Sequence, residues 1–182
     1  MAYREPFERV LSAAQADTPW AYEQLYRSLS PSICGYLRLQ GVADPEDLTS
    51  EVFLGAFRGI RSFRGDEAKF RSWVFTIAHR RLTDERRARG CRPQTADAEL
   101  GDIAGGDVEE EALRRLSADR VRSLCAGLAP DQGDVLLLRL VSGLTVEAIA
   151  GVLGKNTGAV KALQRRGLCA LRKTIEREGV PL

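Results

Sequence analysis

Apolar residues recur at three- and four-residue spacing through most of the chain, and alternating β-branched runs are absent. That periodicity predicts helices and no sheet, so the expected fold class is all-α. The first strong helix begins after Asp17-Thr18-Pro19, with Thr18 as cap and Pro19 in the first turn. Its apolar positions are Trp20, Leu25, Leu29, Ile33 and Leu37. Ser30-Pro31 is expected to kink or interrupt it, because proline brings no amide hydrogen to the helix ladder. Gly41 closes it.

A second helix starts at Asp44-Pro45-Glu46-Asp47, an acidic first turn that suits the helix dipole, and turns Leu48, Val52, Phe53, Ala56, Phe57 and Ile60 inward. Ser62-Phe63-Arg64-Gly65-Asp66 reads as a turn. A third helix follows from about Ala68 to Arg89, with Phe70, Trp73, Val74, Ile77, Ala78 and Leu82 inward. Residues 91–112 then lose periodicity and aromatics and read as an acidic linker. Regular spacing resumes through Leu113, Leu116, Val121 and Leu124. Pro130 opens the next helix, which carries Val135, Leu136, Leu138, Leu140 and Val141 as far as Ser142-Gly143.

The C-terminal pattern is more specific. Thr145 can cap a short helix that buries Ile149 and Leu153; Gly154-Lys155-Asn156 forms a tight turn; a second helix starts at Thr157 and runs through Val160, Leu163, Leu168, Leu171 and Ile175. Two short helices joined by a glycine-bearing three-residue turn predict a helix-turn-helix. The second helix offers Thr157, Lys161, Gln164 and Arg165 outward, the side-chain types that read base edges and grip phosphates from a major groove. A polar face on an ordinary helical bundle is the alternative. Gly154-Lys155 is no phosphate-binding loop, since Asn156 replaces the required Ser or Thr and a helix precedes the turn.

Charge sharpens this picture only when the chain is divided. The formal net charge is +2, yet residues 58–92 carry 11 basic and 4 acidic side chains, residues 93–119 carry 2 and 8, and residues 120–182 carry 10 and 5. Two basic modules flank an acidic segment, which points to a polyanion held at two places, or else to solvated helix faces. Cys34, Cys91, Cys125 and Cys169 are scattered without a C-x-x-C pair and His79 is the only histidine, so no metal site and no cofactor are expected. Neither a nucleophile–base pair nor clustered carboxylates are evident, so the chain is not expected to be an enzyme. No apolar run approaches the roughly 20 residues of a membrane span, and no signal peptide opens the chain, so the expected location is cytoplasmic.

Asp44-Pro45-Glu46-Asp47-Leu48-Thr49-Ser50-Glu51-Val52-Phe53 resembles the sigma-factor segment that docks on the clamp coiled coil of RNA polymerase. The stretch from Phe63 through Ala78, Phe63-Arg64-Gly65-Asp66-Glu67-Ala68-Lys69-Phe70-Arg71-Ser72-Trp73 and onward, is similar to the following segment, which opens the −10 promoter element. With Leu144 to Arg172 these motifs stand in the family's order, and the short linker between them resembles the extracytoplasmic-function class of sigma factors.

The resemblance implies two small helical domains, residues 1–90 and 113–182, joined by the linker at 91–112. Asp44, Asp47 and Glu51 would meet basic groups of core RNA polymerase, with Leu48, Val52 and Phe53 as apolar contacts. Phe63, Arg64, Asp66, Lys69 and Phe70 would receive a flipped −10 base, and Arg80, Arg81, Arg86 and Arg87 would follow the strands. Arg80 stands where members often carry Asn, which implies a phosphate contact there. Trp73 shares a face with Ile77 and reads as core. Lys155, Asn156, Thr157, Lys161, Gln164 and Arg165 would contact the −35 element, although many members carry Leu at the position of Gln164. Implied partners are core polymerase at its clamp coiled coil and flap, promoter DNA and, as is common in the class, an anti-sigma factor. The linker either follows a path of its own through the polymerase or is a plain tether. The competing reading is a helix-turn-helix regulator with an N-terminal sensing or dimerisation domain.

Overall fold

The computed structural model describes residues 5–90, 120–125 and 127–177, and these form helices and turns without a strand. The expected linker and the helix positions Leu113 and Leu116 lie outside the described residues. Helix α1 spans Phe7–Gln15, α2 Pro19–Leu39, α3 Pro45–Gly59 and α4 Glu67–Gly90, with a 3-10 turn at Ile60–Ser62 before α4. The second half holds α5 at Pro130–Ser142, α6 at Val146–Leu153 and α7 at Thr157–Arg177.

Helix α1 goes beyond the helices that the periodicity predicts. Phe7, Val10, Leu11 and Ala14 are buried at the spacing of a helical stripe, over only nine residues. Such a length is marginal alone and forms by packing on α2. Asp17 makes the turn into α2 with a φ of 64°, a left-handed conformation that Asp tolerates better than most residues.

Helix α2 passes through Pro31 without interruption, which removes one of the two outcomes expected there, a kink or a break. The buried face of Leu25, Leu29, Ile33, Tyr36 and Leu37 holds both sides of the proline in one helix. Pro31 and Arg27 are exposed, so the carbonyl that loses its amide partner points into water. At the far end Gly41 takes a φ of 77°, as the closing turn requires.

Caps set the remaining boundaries. Asp44 accepts from the Asp47 amide at 2.8 Å to start α3, and Asp66 accepts from the Lys69 amide at 2.8 Å to start α4. Thr145 accepts from the Ala148 amide at 3.2 Å to start α6, while Thr18 makes no such bond to α2. Helices α6 and α7 make the helix-turn-helix, with Gly154 at a φ of 62° in its turn.

The two halves share one continuous apolar core. Helix α2 packs on α5 and α4 packs on α6. A polar network crosses the same boundary. Asp134 of α5, only 8% exposed, accepts from Gln40 Nε2 at 2.7 Å and lies 3.7 Å from Arg86 Nη1. Arg86 Nη2 donates to Gln40 Oε1 at 2.6 Å, and Arg122 donates to the Arg38 carbonyl at 3.0 Å. A carboxylate that far from water is stable only with such partners. No helix of the described residues is long and apolar enough to cross a membrane.

Four expected core positions prove exposed: Trp20, Val121, Leu140 and Leu168. At Leu168 the reason is its neighbour. Gly167 is buried where α7 crosses α5, and a Cβ there would stand 3.0 Å from Leu136 Cδ1. The close crossing turns Leu168 outward.

Candidate functional site

The loop between the 3-10 turn and α4 gathers the first group of expected DNA contacts. Phe63 is half-buried, stacked on Trp73 with centroids 5.1 Å apart and 27° between planes. Its edge meets Phe70 at 5.3 Å. Phe70 is fully buried and touches Phe7 at 5.6 Å, so it forms the floor of the loop and cannot itself receive a base, contrary to the expected contact role. Trp73, expected as core, is half-buried and supports Phe63 from beneath.

The loop backbone is held from several sides. Arg64 Nη1 donates to the carbonyls of Arg61 and Phe63 at 2.8 and 2.7 Å. That guanidinium braces the turn before it meets any ligand. Gly65 is required by closeness, since a Cβ there would lie 2.9 Å from Lys69 Cβ and 3.1 Å from Phe63 Cζ. Asp66 is committed to capping α4, and Lys69 is exposed one turn later.

The arginines of α4 do not join this loop. At 1.5 Å rise per residue Arg80 stands about 16 Å along the helix from Lys69. Arg80 and Arg81 are exposed, and Arg81 lies 3.6 Å from Glu51 of α3. Arg87 pairs with Asp84 at 3.5 Å on the exposed surface. Arg86 belongs to the network between the halves, which a linear reading could not foresee.

On α3 the acidic residues Asp44, Asp47 and Glu51 are exposed on one side. Val52 and Phe53, expected as apolar contacts for a partner, are core instead at 0% and 2% exposure. Phe53 packs on Tyr26 at 4.8 Å and on Phe57 at 5.6 Å. Leu48 is half-buried. The apolar group on the acidic face is Leu54, 57% exposed, one turn beyond Glu51 and two beyond Asp47. The i, i+3, i+7 spacing of Leu54 from those acids was the signal available in the sequence.

The recognition helix separates in the same way. Thr157, Lys161 and Arg165 are exposed on α7, and Gln164 is half-buried beside the core residues Val160 and Leu163. Asn156 Oδ1 accepts from the Ala159 amide at 2.7 Å and caps the helix. Lys155 Nζ lies 2.9 Å from Asp131, so its charge is shared with α5. The unoccupied face of α7 is therefore narrower than the six residues expected.

Between the loop and the helix-turn-helix lies a cleft of about 990 Å³ lined by Asp66, Lys69, Trp73, Thr145, Ala148 and Gly151 among others. Beneath the network of Asp134, burial holds the His79 imidazole below its usual range, opposed by the Asp134 carboxylate and assisted by Arg86. The Tyr36 hydroxyl lies 3.0 Å from His79 Nδ1, and burial raises that phenol far above its usual value. Burial likewise lifts the Cys34 thiol to about 11, with Glu46 adding to the shift.

Residues 25–91 match the family model for Sigma-70 region 2, and residues 118–171 match that for Sigma-70 region 4. The chain is 33% identical over 170 residues to the ECF RNA polymerase sigma factor BldN of Streptomyces coelicolor, a match over 91% of this chain and 64% of BldN. It therefore spans just under two thirds of that relative. The ECF RNA polymerase sigma factor ShbA of Streptomyces griseus is 32% identical over 137 residues, covering 72% of this chain and 71% of ShbA. Among solved structures, CnrH in complex with the cytosolic domain of CnrY matches with a TM-score of 0.70 at 21% identity, covering 92% of this chain and 96% of that one. The sigma factor RpoE in complex with the anti-sigma factor NepR from Bartonella quintana matches with a TM-score of 0.62 at 19% identity, covering 85% and 96%. These two structures share the fold.

Proposed function

We infer, because the chain belongs to the extracytoplasmic-function class of RNA polymerase sigma factors, that it binds core RNA polymerase and directs it to promoters with −35 and −10 elements. Residues 1–90 would carry docking and −10 recognition, 91–112 the acidic tether, and 113–182 the −35 contacts. The observation that carries this reading is the order of the two Sigma-70 segments, each with its own exposed basic surface. An N-terminal sensing or dimerisation domain would leave the region 2 match unexplained.

The mechanism is binding, without bond-making chemistry. The acidic face of α3, Asp44, Asp47 and Glu51, meets basic groups on the polymerase clamp, and Leu54 supplies the apolar contact in place of Val52 and Phe53. Leu140 and Leu168 are exposed apolar groups of the second half suited to the flap. Lys161 and Arg165 grip and read duplex DNA at −35, with Thr157 and Gln164 beside them. At −10 the half-exposed ring of Phe63 offers a stacking surface to an unpaired base, and Lys69, Arg80 and Arg81 offer charge to the strands. Capture of an unstacked base needs no nucleotide hydrolysis, because stacking offsets part of the cost of unpairing.

RpoE was captured with the anti-sigma factor NepR, and an anti-sigma factor is a proposed partner of this chain as well. The whole reading is tested by run-off transcription with purified core polymerase on a promoter library. Discrete products that require the chain are expected. Absence of any chain-dependent product overturns it.

A further inference from the structure

The −10 loop is braced by a residue outside the segment that matches the Sigma-70 region 2 model. Gln15, the last residue of α1, reaches across to the loop with its side-chain amide. Its Nε2 donates to the carbonyl of Ile60 at 3.0 Å and to that of Phe63 at 2.9 Å. Both hydrogens of one amide are thereby used, one at each end of the 3-10 turn that delivers Phe63. The region 2 model begins at residue 25, beyond this helix.

We propose that Gln15 is a positioning residue for base capture, holding the Phe63 backbone so that its ring stays stacked on Trp73 and open to an incoming base. The inference rests on the −10 reading of the loop given above.

Three observations converge on this role. The Ile60 carbonyl accepts the turn's own bond from the Phe63 amide at 3.1 Å and the Phe63 carbonyl accepts from Arg64 at 2.7 Å; the Gln15 amide adds a second donor to each and ties both to α1. Helix α1 is in turn anchored under the loop, because Phe7 packs on Phe70, the ring on which the Phe63 edge rests. Outside the amide, Asp17 lies 3.6 Å from Arg61 and accepts from the Tyr22 hydroxyl at 2.8 Å, tying the same turn to α2. A loop ordered before binding loses less freedom when a base arrives, which strengthens capture without a contact to the base.

The experiment measures binding of holoenzyme, full chain with core polymerase, to the single-stranded −10 oligonucleotide of a promoter recovered in the library. Each measurement is repeated with an abasic site at the captured position. Wild type is expected to prefer the intact strand by about tenfold, within the range of aromatic–base stacking. Gln15→Ala, which removes the donor, and Gln15→Glu, which sets a carboxylate against two carbonyls, are expected to shrink the preference to about twofold. Gln15→Lys keeps a donor within reach of both carbonyls and is expected to restore it. Affinity for core polymerase should be unchanged in all three. Retention of the full preference in the alanine and glutamate variants overturns the proposal. So does loss of the preference in the lysine variant, or a loss of polymerase affinity that parallels it. If wild type itself shows no preference at any −10 position, the loop reading fails and this proposal falls with it.

Discussion

The two halves of this molecule are built from different side chains, and the difference matches what each must hold. All twelve aromatic residues lie within the first 75 positions, and the second half has none. The first half packs rings on rings, from Tyr36 against Phe75 at 5.8 Å to Phe63 on Trp73 at 5.1 Å. The second half packs Val135, Leu136, Leu138, Ile149 and Val160, and it gains closeness from Gly167. An aromatic cluster that reaches the surface can stack an unpaired base. An aliphatic bundle can only support a helix that reads a duplex from outside. On the proposed reading, melting chemistry and duplex reading are divided between the halves by composition before any contact is considered.

Three experiments can break that division, beginning with the largest effect. Phe70→Ala removes a fully buried ring from the junction of Phe7, Phe63 and Trp73 and is expected to lower stability by about 3–5 kcal/mol in urea unfolding. A decrease below about 1 kcal/mol would mean the first half does not depend on its aromatic junction.

The second experiment is a pair of variants read on two substrates. Phe63→Ala is expected to weaken single-stranded −10 binding by holoenzyme, by about 1–3 kcal/mol, and to leave −35 duplex binding alone. Lys161→Ala with Arg165→Ala is expected to do the reverse. It should also reduce the slope of log affinity against log salt by up to about two, one for each phosphate that no longer meets a cation. Variants that damage both substrates equally would erase the proposed division.

The smallest effect lies at the boundary between the halves. Burial lowers the His79 pKa in the folded chain, so the unfolded chain binds the proton more readily. The contribution of neutral His79 is therefore whole above about pH 6.5 and declines as pH falls toward the lower folded value. Stability measured between about pH 8 and 5 should fall on the acid side, and His79→Gln should flatten that part of the profile. An identical slope in the variant would place the pH dependence elsewhere.

Much of the architecture was legible from spacing. The caps at Asp44 and Thr145, the inward faces of α3 and α4, and the glycine-bearing turn of the helix-turn-helix all follow from local rules that tertiary context did not override. Elsewhere packing decided between readings that local rules left open. Pro31 did not break α2 because the residues on either side of it are fastened to one core. Val52 and Phe53 resembled partner contacts in linear order, yet helical phase turns them inward and leaves Leu54 on the acidic face. Asn156, expected at the DNA face, also caps α7 through Oδ1, because the first free amides of that helix need an acceptor.

By itself the sequence determined the helical class, the order of the two segments and the side-chain chemistry offered to nucleic acid. Each depends on residue type and on neighbours a few positions away. Only the tertiary structure decided that Gln15 meets Phe63 across 48 positions, and that Gln40, Arg86 and Asp134 meet between the halves. Those bonds join groups far apart in the chain, and no periodicity encodes them. The buried carboxylate requires partners and the carbonyls have room for a second donor, and packing alone chooses which groups lie within reach.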